Sequence, residues 1–490
     1  MNALLLIGTG RGLLLLLALA NIRLYTELLS AVQVGRLSIL IAITSVLSVL
    51  VDRSLGAYWY RMLVSWNQAG VLRGQLHRFI GALAIIGVAG AAATALLAET
   101  VGFGVAVSLP ALAALAFCGI VLNSLFSAVT GSLNILGARG AFVAISVASV
   151  GLGLALSVSA GLRLPQAEWW LAGGFLAQAV VILPGLWLLD RHLAAPRTDV
   201  TPAGLDAASW RRFAGPAVVS AALYSAQLLG YRFVLNGVAG TKAVAFFTVA
   251  FGLGVAAMNA FDYFVTQLAQ PRFFRRLTDA DPSAMASAWN AYARAVVPAV
   301  ILMALFTGAA GPLILRLGAS STFGAAGRIV AFGVAADALR ILAQLVAMVP
   351  HATLETRRLV LPSIVGVTVS LVVGGALATV WPLAGMGIGL VLGGTIWLGL
   401  SYRVARRMLP IQVPWRVGAL ALAGGLPLAL GLEAAYRTGV TDSVRGTFAV
   451  LATGGGVLMV LQYAFARRWL ADVSASVVPY AMPASANRDD

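Results

Sequence analysis

Stretches of about 20 apolar residues follow one another along this chain of 490 residues. A helix of about 20 apolar residues crosses the roughly 30 Å hydrocarbon core of a bilayer. Hydrophobic residues make up 60% of the sequence and charged residues only 10%, whereas a soluble domain has about 25% charged residues. The polar intervals between the apolar stretches are too short to hold a soluble domain. The sequence therefore predicts an all-α polytopic membrane protein.

About fourteen transmembrane helices are predicted from the usual length of roughly 17–25 residues. They cover residues 4–24, 35–57, 79–98, 109–132, 141–162, 169–189, 213–236, 243–267, 293–316, 326–349, 359–380, 384–404, 417–436 and 447–466. With the N-terminus inside, 22 of the 33 Lys and Arg residues fall on the inner side, 7 on the outer side and 4 within spans. Positive loop charges accumulate on the cytoplasmic side. This distribution predicts a multi-pass protein of the bacterial inner membrane with both termini cytoplasmic.

Several function classes are disfavoured by the same sequence. The net charge of +16 arises from clusters between apolar segments and not from a basic stripe, so no nucleic-acid partner is expected. The single cysteine, Cys118, and three scattered histidines form no metal-ligand set, and no cofactor is expected. The predicted outer loops are all short, so they cannot carry the catalytic groups of a membrane glycan polymerase or ligase. A channel or carrier without catalytic residues remains.

An internal repeat is indicated by two Arg–Asp pairs. Arg23 precedes Asp52 by 29 positions, and Arg232 precedes Asp262 by 30. The offset of about 210 residues relates spans 1–6 to spans 7–12 in the same orientation, which is the pattern of a parallel transporter repeat. The predicted divisions are an N-terminal lobe, a cytoplasmic linker, a C-terminal lobe, two further helices and a disordered cytoplasmic tail, covering residues 1–189, 190–212, 213–410, 411–470 and 471–490.

Ionisable side chains within the spans are candidates for function, because each costs roughly 2.5–3.5 kcal/mol to insert. The candidate cations of a central cavity are Arg11, Arg23, Arg232 and Arg340, and the candidates for ion coupling are Asp52, Asp262 and Asp337. Asp337 lies three residues before Arg340, on the same helical face, so the two can also form a structural ion pair. Snorkelling toward the interface is the alternative explanation for the arginines near helix ends. An excess of Arg favours an anionic cargo, since the planar guanidinium binds two phosphate oxygens at once.

Two segments of the chain resemble a known family. The first runs Ala-Asn-Ile-Arg23-Leu-Tyr-Thr-Glu-Leu-Leu-Ser, then Val-Gly35-Arg-Leu-Ser-Ile-Leu, then Val-Asp52-Arg-Ser-Leu-Gly56. The second begins Phe213-Ala-Gly-Pro216, continues to Tyr231-Arg232, and is followed by Gln270-Pro271-Arg272. They resemble the openings of the two halves of polysaccharide repeat-unit flippases, in the multidrug, oligosaccharidyl-lipid and polysaccharide exporter superfamily. Asp52-Arg-Ser-Leu-Gly replaces that family's tighter Asp-x-Gly.

The resemblance implies two parallel six-helix lobes that face a central cavity, with two added C-terminal helices. It also implies a cargo, a polyprenyl-diphosphate-linked oligosaccharide repeat unit that crosses to the periplasmic leaflet for exopolysaccharide or O-antigen synthesis. Membrane lipid, a polysaccharide polymerase and a chain-length regulator would be partners. The alternatives are a murein-precursor lipid flippase, a multidrug cation antiporter of the same superfamily and, least favoured, a membrane glycan polymerase or ligase.

Overall fold

A computed structural model describes residues 3–100, 107–193, 218–219, 222–223, 225–275, 282–353 and 355–475. Some side chains within these helices lie outside the described set, at residues 3–8, 11, 263–275, 351–352, 356, 466 and 468–475. Most of the predicted linker, from residue 194 onward, and the predicted tail from residue 476 also lie outside the described residues.

The first half of the chain forms seven helices before the gap that starts at residue 194. They are α1 (Ala3–Leu28), α2 (Ala31–Val51), α3 (Ala57–Gln68), α4 (Leu72–Thr100), α5 (Leu109–Ile135), α6 (Arg139–Arg163) and α7 (Ala167–Asp190). The Ser30 side chain accepts a hydrogen bond from the Gln33 amide and so caps the start of α2. A π-helical turn, Asp52–Gly56, joins α2 to α3 without a break.

Eight α-helices follow Gly230 in the described part of the second half. They are α8 (Tyr231–Arg275), α9 (Pro282–Ala309), α10 (Gly311–Gly318), α11 (Ile329–Ala352), α12 (Val360–Ala378), α13 (Pro382–Met408), α14 (Trp415–Arg437) and α15 (Val444–Ala475). Gly240, with φ of 79°, bends α8 into two helical stretches. The Thr241 hydroxyl donates to Asn236 Oδ1 across this bend.

The predicted fold class is confirmed, and the described part of the chain contains helices and turns but no strand. Twelve helical segments of this part are long and apolar enough to cross a membrane, so the chain is a multi-pass membrane protein. The other two of the fourteen predicted spans also correspond to helical segments of the structure. The first is α1, whose 26 residues exceed the roughly 20 that a span needs. The other, 213–236, continues into the part of α8 before the bend, and its beginning lies outside the described residues.

The chain divides into two compact units. One contains Met1–Leu253, Ile314–Ala336 and Val360–Trp397, and the other contains Gly254–Leu313, Asp337–Leu359 and Leu398–Asp490. The first unit has a core around Trp59, Trp66 and Phe79, in which Trp59 Nε1 donates to Ser132 Oγ at 2.9 Å. In the second unit, α9 packs against α14 and α15. The division into two lobes and two added helices stays a prediction.

Helices α12 and α13 approach each other through small residues spaced four apart. The series is Gly366, Ser370 and Gly374 on α12 and Gly385, Gly389 and Gly393 on α13. A Cβ atom on Gly389 would overlap the backbone of Gly374. Helices α6 and α7 pack in a similar way, since a Cβ atom on Gly173 would lie 2.7 Å from the Ser157 amide nitrogen. Close backbone packing of this kind drives helix association where lipid removes the hydrophobic advantage.

We expect the substitution Gly389→Ala to lower the thermal unfolding temperature in detergent, because the added methyl group would force α12 and α13 apart. The control is Gly399→Ala in the same helix, where a Cβ atom would meet nothing within 4 Å. That variant should be unchanged or slightly more stable, since Ala exceeds Gly in helix propensity by about 1 kcal/mol. Equal unfolding temperatures for the two variants would contradict the packing described here.

Candidate functional site

A cluster of charged side chains lies inside the second unit, around Arg340 of α11. Its Nε donates to Asp337 Oδ1 at 2.6 Å, and its Nη2 donates to Asp262 Oδ2 at 3.2 Å and to Asn259 Oδ1 at 2.8 Å. The side chains of Arg340 and Asp337 are only 7% and 1% exposed, and that of Asp262 is 20% exposed. This buried charge cluster, composed of Asn259, Asp262, Asp337 and Arg340, joins α8 to α11.

Helical spacing explains why these four residues meet. Asn259 and Asp262 are three apart on α8, and Asp337 and Arg340 are three apart on α11, so each pair lies on one face of its helix. Trp289 of α9 fixes α11 nearby, because its Nε1 donates to the Leu345 carbonyl at 3.0 Å. The contact between Asp337 and Arg340 that the spacing predicted is present. The link between Asp262 and Arg340 was not predicted, and it joins residues 78 positions apart.

The charge balance of the cluster decides what it can do chemically. Two carboxylates, of Asp262 and Asp337, are hydrogen-bonded to the one guanidinium of Arg340. A change in the charge of any of these three groups would therefore alter the contacts of the other two. In this arrangement Arg340 already holds three side-chain acceptors.

Arg23 of α1 is bound to backbone carbonyls in the first unit. Its Nη1 donates to the Arg316 carbonyl at 3.2 Å and also to the Ala319 carbonyl, and its Nη2 pairs with Glu27 at 2.5 Å. These carbonyls lie at the C-terminal end of α10, where a cation is favoured by the helix dipole. Nearby, the Ser320 amide donates to Thr26 Oγ1 at 3.0 Å. The contacts of Arg23 therefore attach α1 to the end of α10.

Arg232, in the early part of α8, makes a comparable contact with α2. Its Nη1 donates to the Ser38 carbonyl at 2.8 Å, and its guanidinium carbon lies 5.7 Å from the centre of the Tyr231 ring. Beyond the bend, α8 approaches α2 again, because a Cβ atom on Gly35 would overlap the Thr241 carbonyl. Arg23 and Arg232 thus both bind the main chain of a helix from the other half of the sequence.

The remaining predicted residues lie elsewhere. Asp52 begins the π-helical turn after α2 and is partly buried. A π-bulge often marks a functional position in a helix, but Asp52 lies in the first unit and the charge cluster in the second. Arg11 belongs to α1 by its backbone, and its side chain lies outside the described residues. The substrate-binding and ion-coupling roles of all seven residues stay predictions.

Sequence reasoning missed a cavity of about 310 Å³ among the helices of the first half. Asn123 of α5 and Gln178 of α7 line it, and Gln178 Nε2 donates to Asn123 Oδ1 at 2.9 Å. Asn21 of α1 is also in the wall. Lone amide side chains within otherwise apolar helices were the available signal for this cavity.

The sequence matches no protein-family model and no curated protein. Several solved structures share its fold. The lipid II flippase MurJ in an inward-closed conformation has a TM-score of 0.68 at 10% identity, with 95% of this chain and all of that chain covered. A transporter of the MOP superfamily from Pyrococcus furiosus has a TM-score of 0.54 at 16% identity, with 84% and 93% covered.

An inward-facing multidrug resistance transporter of the MATE family has a TM-score of 0.53 at 15% identity, with 84% of this chain and 95% of that chain covered. At these identities the similarity concerns the fold alone. The chain has the all-helical fold of these membrane flippases and transporters, and none of these three neighbours is described as an enzyme.

Removing Arg340 alone should destabilise the protein strongly, because the buried Asp337 carboxylate would lose the guanidinium with which it pairs. The expected cost for Arg340→Leu is about 3–5 kcal/mol, measured as a fall in thermal unfolding temperature in detergent. The double variant Arg340→Leu with Asp337→Leu should recover part of that loss. Arg437→Leu is the control, because its ion pair with Glu433 is exposed and such pairs contribute about 0–1 kcal/mol. A double variant no more stable than Arg340→Leu would contradict the predicted coupling.

Proposed function

We propose that this protein is a flippase of the bacterial inner membrane that moves a polyprenyl-diphosphate-linked oligosaccharide from the cytoplasmic to the periplasmic leaflet. The cargo would be a repeat unit for exopolysaccharide or O-antigen synthesis. A polysaccharide polymerase and a chain-length regulator would then act on the delivered unit. Both termini would be cytoplasmic, as the distribution of loop charges predicts.

The observation that carries this proposal is the extent of one structural similarity. The match to the lipid II flippase extends over 95% of this chain and all of that chain, whereas the matches to the two transporters cover 84% of this chain. A fold shared over its whole length with a lipid flippase supports a lipid-linked cargo. The choice of an oligosaccharide repeat unit rests on the sequence resemblance around Arg23, Asp52 and Arg232.

The contacts of two arginines suggest how a diphosphate would be bound. In this structure Arg23 and Arg232 donate to main-chain carbonyls. A guanidinium prefers a charged phosphate to a neutral carbonyl, since charge-assisted hydrogen bonds are roughly twice as strong. We therefore expect both arginines to exchange carbonyl partners for phosphate oxygens when the cargo arrives. Arg11 and Arg340 are further candidates for this binding.

The same contacts suggest a conformational cycle. Three pairings join a first-half helix to a second-half segment. They are Arg23 with the end of α10, Arg232 with Ser38, and Gly35 with Thr241. The distribution of loop charges predicts that these contacts lie toward the outer side. We define these three pairings as the outer contacts and propose that they close the pathway outward in this structure. They would separate when the cargo leaves, which is an alternating-access cycle.

Ion coupling would reside in the buried charge cluster. A proton or small cation would bind one of its two carboxylates in one conformation and leave in another. Asp262 has the more exposed carboxylate of the two, so it would exchange a proton or cation with solvent more readily than Asp337. Asp52, at its π-helical turn, is a second candidate for the same role.

Deletion of this chain in its native host should abolish one surface polysaccharide while polyprenyl-diphosphate-linked repeat units accumulate in the cytoplasmic leaflet. Immunoblots of polysaccharide and mass spectrometry of lipid-linked precursors would measure both effects. Complementation with Arg232→Ala should fail, because a phosphate ligand is lost. Arg437→Ala, which changes an exposed arginine, should restore the polymer. Normal polysaccharide in the deletion strain would contradict the proposal.

The lipid II flippase among the neighbours favours a murein precursor as the second candidate cargo. The two candidates differ in the phenotype of the same deletion strain. Depletion that causes lysis, with accumulation of murein precursors and no selective loss of one surface polysaccharide, would support the murein cargo.

The substitution Gly35→Val should prevent the outer contacts from forming, because its side chain would overlap the Thr241 carbonyl. We expect a cysteine introduced as Ser38→Cys, in a Cys118→Ala background, to react several-fold faster with a membrane-impermeant maleimide in Gly35→Val than in its parent. Gly237→Val is the control, because nothing lies within 4 Å of a Cβ atom there. Unchanged labelling in Gly35→Val would argue against the closure assigned to these contacts.

A further inference from the structure

The cavity of the first half lies among α1, α2, α5, α6 and α7. We call it the amide cavity, after Asn21, Asn123 and Gln178 in its wall. Its volume of about 310 Å³ is at the low end of the roughly 300–1,000 Å³ of small-molecule sites. A space of this size fits one small cyclic molecule.

The chemistry of the wall is neutral and polar. Its described lining residues include no Asp, Glu, Lys or Arg, so no charged side chain of the wall itself would contact a phosphate or a cationic drug. Its amides, with the hydroxyls of Ser45 and Ser149 and the phenol of Tyr25, can both donate and accept hydrogen bonds. This is the pairing that the hydroxyl groups of a neutral molecule require.

One wall of the amide cavity is aromatic. Tyr25 and Trp170 meet edge to face, with ring centres 6.3 Å apart and an interplanar angle of 82°. Phe175 adds a third ring. Aromatic faces pack well against the C–H face of a pyranose ring, while amides at other positions bond its hydroxyls. The combination of amides, hydroxyls and aromatic faces without charge is suited to a sugar.

A buried acceptor atom in the wall has no hydrogen-bond partner among the described residues. The Gln178 side chain donates through Nε2 to Asn123, whereas its Oε1 is buried and accepts no hydrogen bond from the described residues. A buried polar group without a partner costs roughly 1–3 kcal/mol. A hydroxyl group of a bound molecule would satisfy this oxygen, and a purely apolar ligand would not.

We infer that the amide cavity binds one neutral sugar residue of the cargo. The inference rests on the proposed function, because it assigns the sugar part of the same lipid-linked molecule whose diphosphate Arg23 and Arg232 would bind. A neutral sugar hydroxyl would donate to Gln178 Oε1, and the ring would pack on Trp170. The cavity would then contribute to the choice among repeat units, which the arginines cannot distinguish by charge.

Gly174 of α7 provides a way to fill the cavity without disturbing the fold. It lines the cavity, and a Cβ atom on it would meet nothing within 4 Å. The variant Gly174→Leu should therefore extend into the empty space, and Leu is a better helix former than Gly. Gly81→Leu on α4 is the matched control, since Gly81 is exposed, is equally open and does not line the cavity.

Saturation-transfer difference NMR on the full chain in lipid nanodiscs would test the inference. The probes are the methyl glycosides of glucose, galactose, rhamnose and N-acetylglucosamine, with tetraethylammonium and glycerol phosphate as charged comparisons. We expect transfer to at least one methyl glycoside and to neither charged probe. Gly174→Leu should abolish the signal, Gln178→Leu should weaken binding roughly five-fold through the lost hydrogen bond, and Gly81→Leu should match the parent.

The outcomes separate the two proposals. No transfer to any methyl glycoside, or equal transfer in Gly174→Leu and Gly81→Leu, would overturn the sugar site. The flippase proposal would still stand in that case if the deletion strain lost its polysaccharide. Conversely, transfer that depends on Gly174 in a protein whose deletion leaves all surface polysaccharides intact would support a sugar site and overturn the proposed repeat-unit flippase.

Discussion

Hydrocarbon offers no hydrogen-bond partners, so the backbone of every spanning segment has to be satisfied within the protein. Long helices achieve this, and hydroxyl side chains inside them donate back to carbonyls of the same helix, as Thr44, Thr94 and Thr130 do. The last carbonyls of a helix need a hydrogen-bond donor from outside that helix. At the end of α10, Arg23 is such a donor. The outer contacts are thus a consequence of backbone chemistry as well as candidates for a gate.

The sequence was sufficient for the fold class and for local pairs, and insufficient for contacts between distant helices. Apolar length predicted the spans, and spacing along one helix placed Asp337 beside Arg340. That Asp262 completes the same cluster depends on the packing of α8 against α11, which no local pattern encodes. The amide cavity was missed for a related reason, because Asn123 and Gln178 lie on different helices and an amide in a span is more often a structural hydrogen bond.

The described arginines among the predicted cavity cations carry the same charge but lie in different environments. Arg340 is almost completely buried and bound to carboxylates of an internal network. Arg23 is 39% exposed at its side chain and bound mainly to neutral carbonyls, contacts that a stronger acceptor can replace. Charge alone therefore does not identify a substrate ligand in a membrane. The strength of the partners that a cation already has is the more useful guide.

The glycine-lined contact between α12 and α13 has a practical consequence for measuring motion. Backbones that touch through Gly374 and Gly389 cannot slide or separate without losing most of their contact. The pair should keep a constant internal distance while other parts of the protein rearrange. Two spectroscopic labels, one on the lipid-facing side of each helix, would then serve as an internal ruler. Distances measured elsewhere in the same molecules could be calibrated against it, whichever conformation the protein occupies.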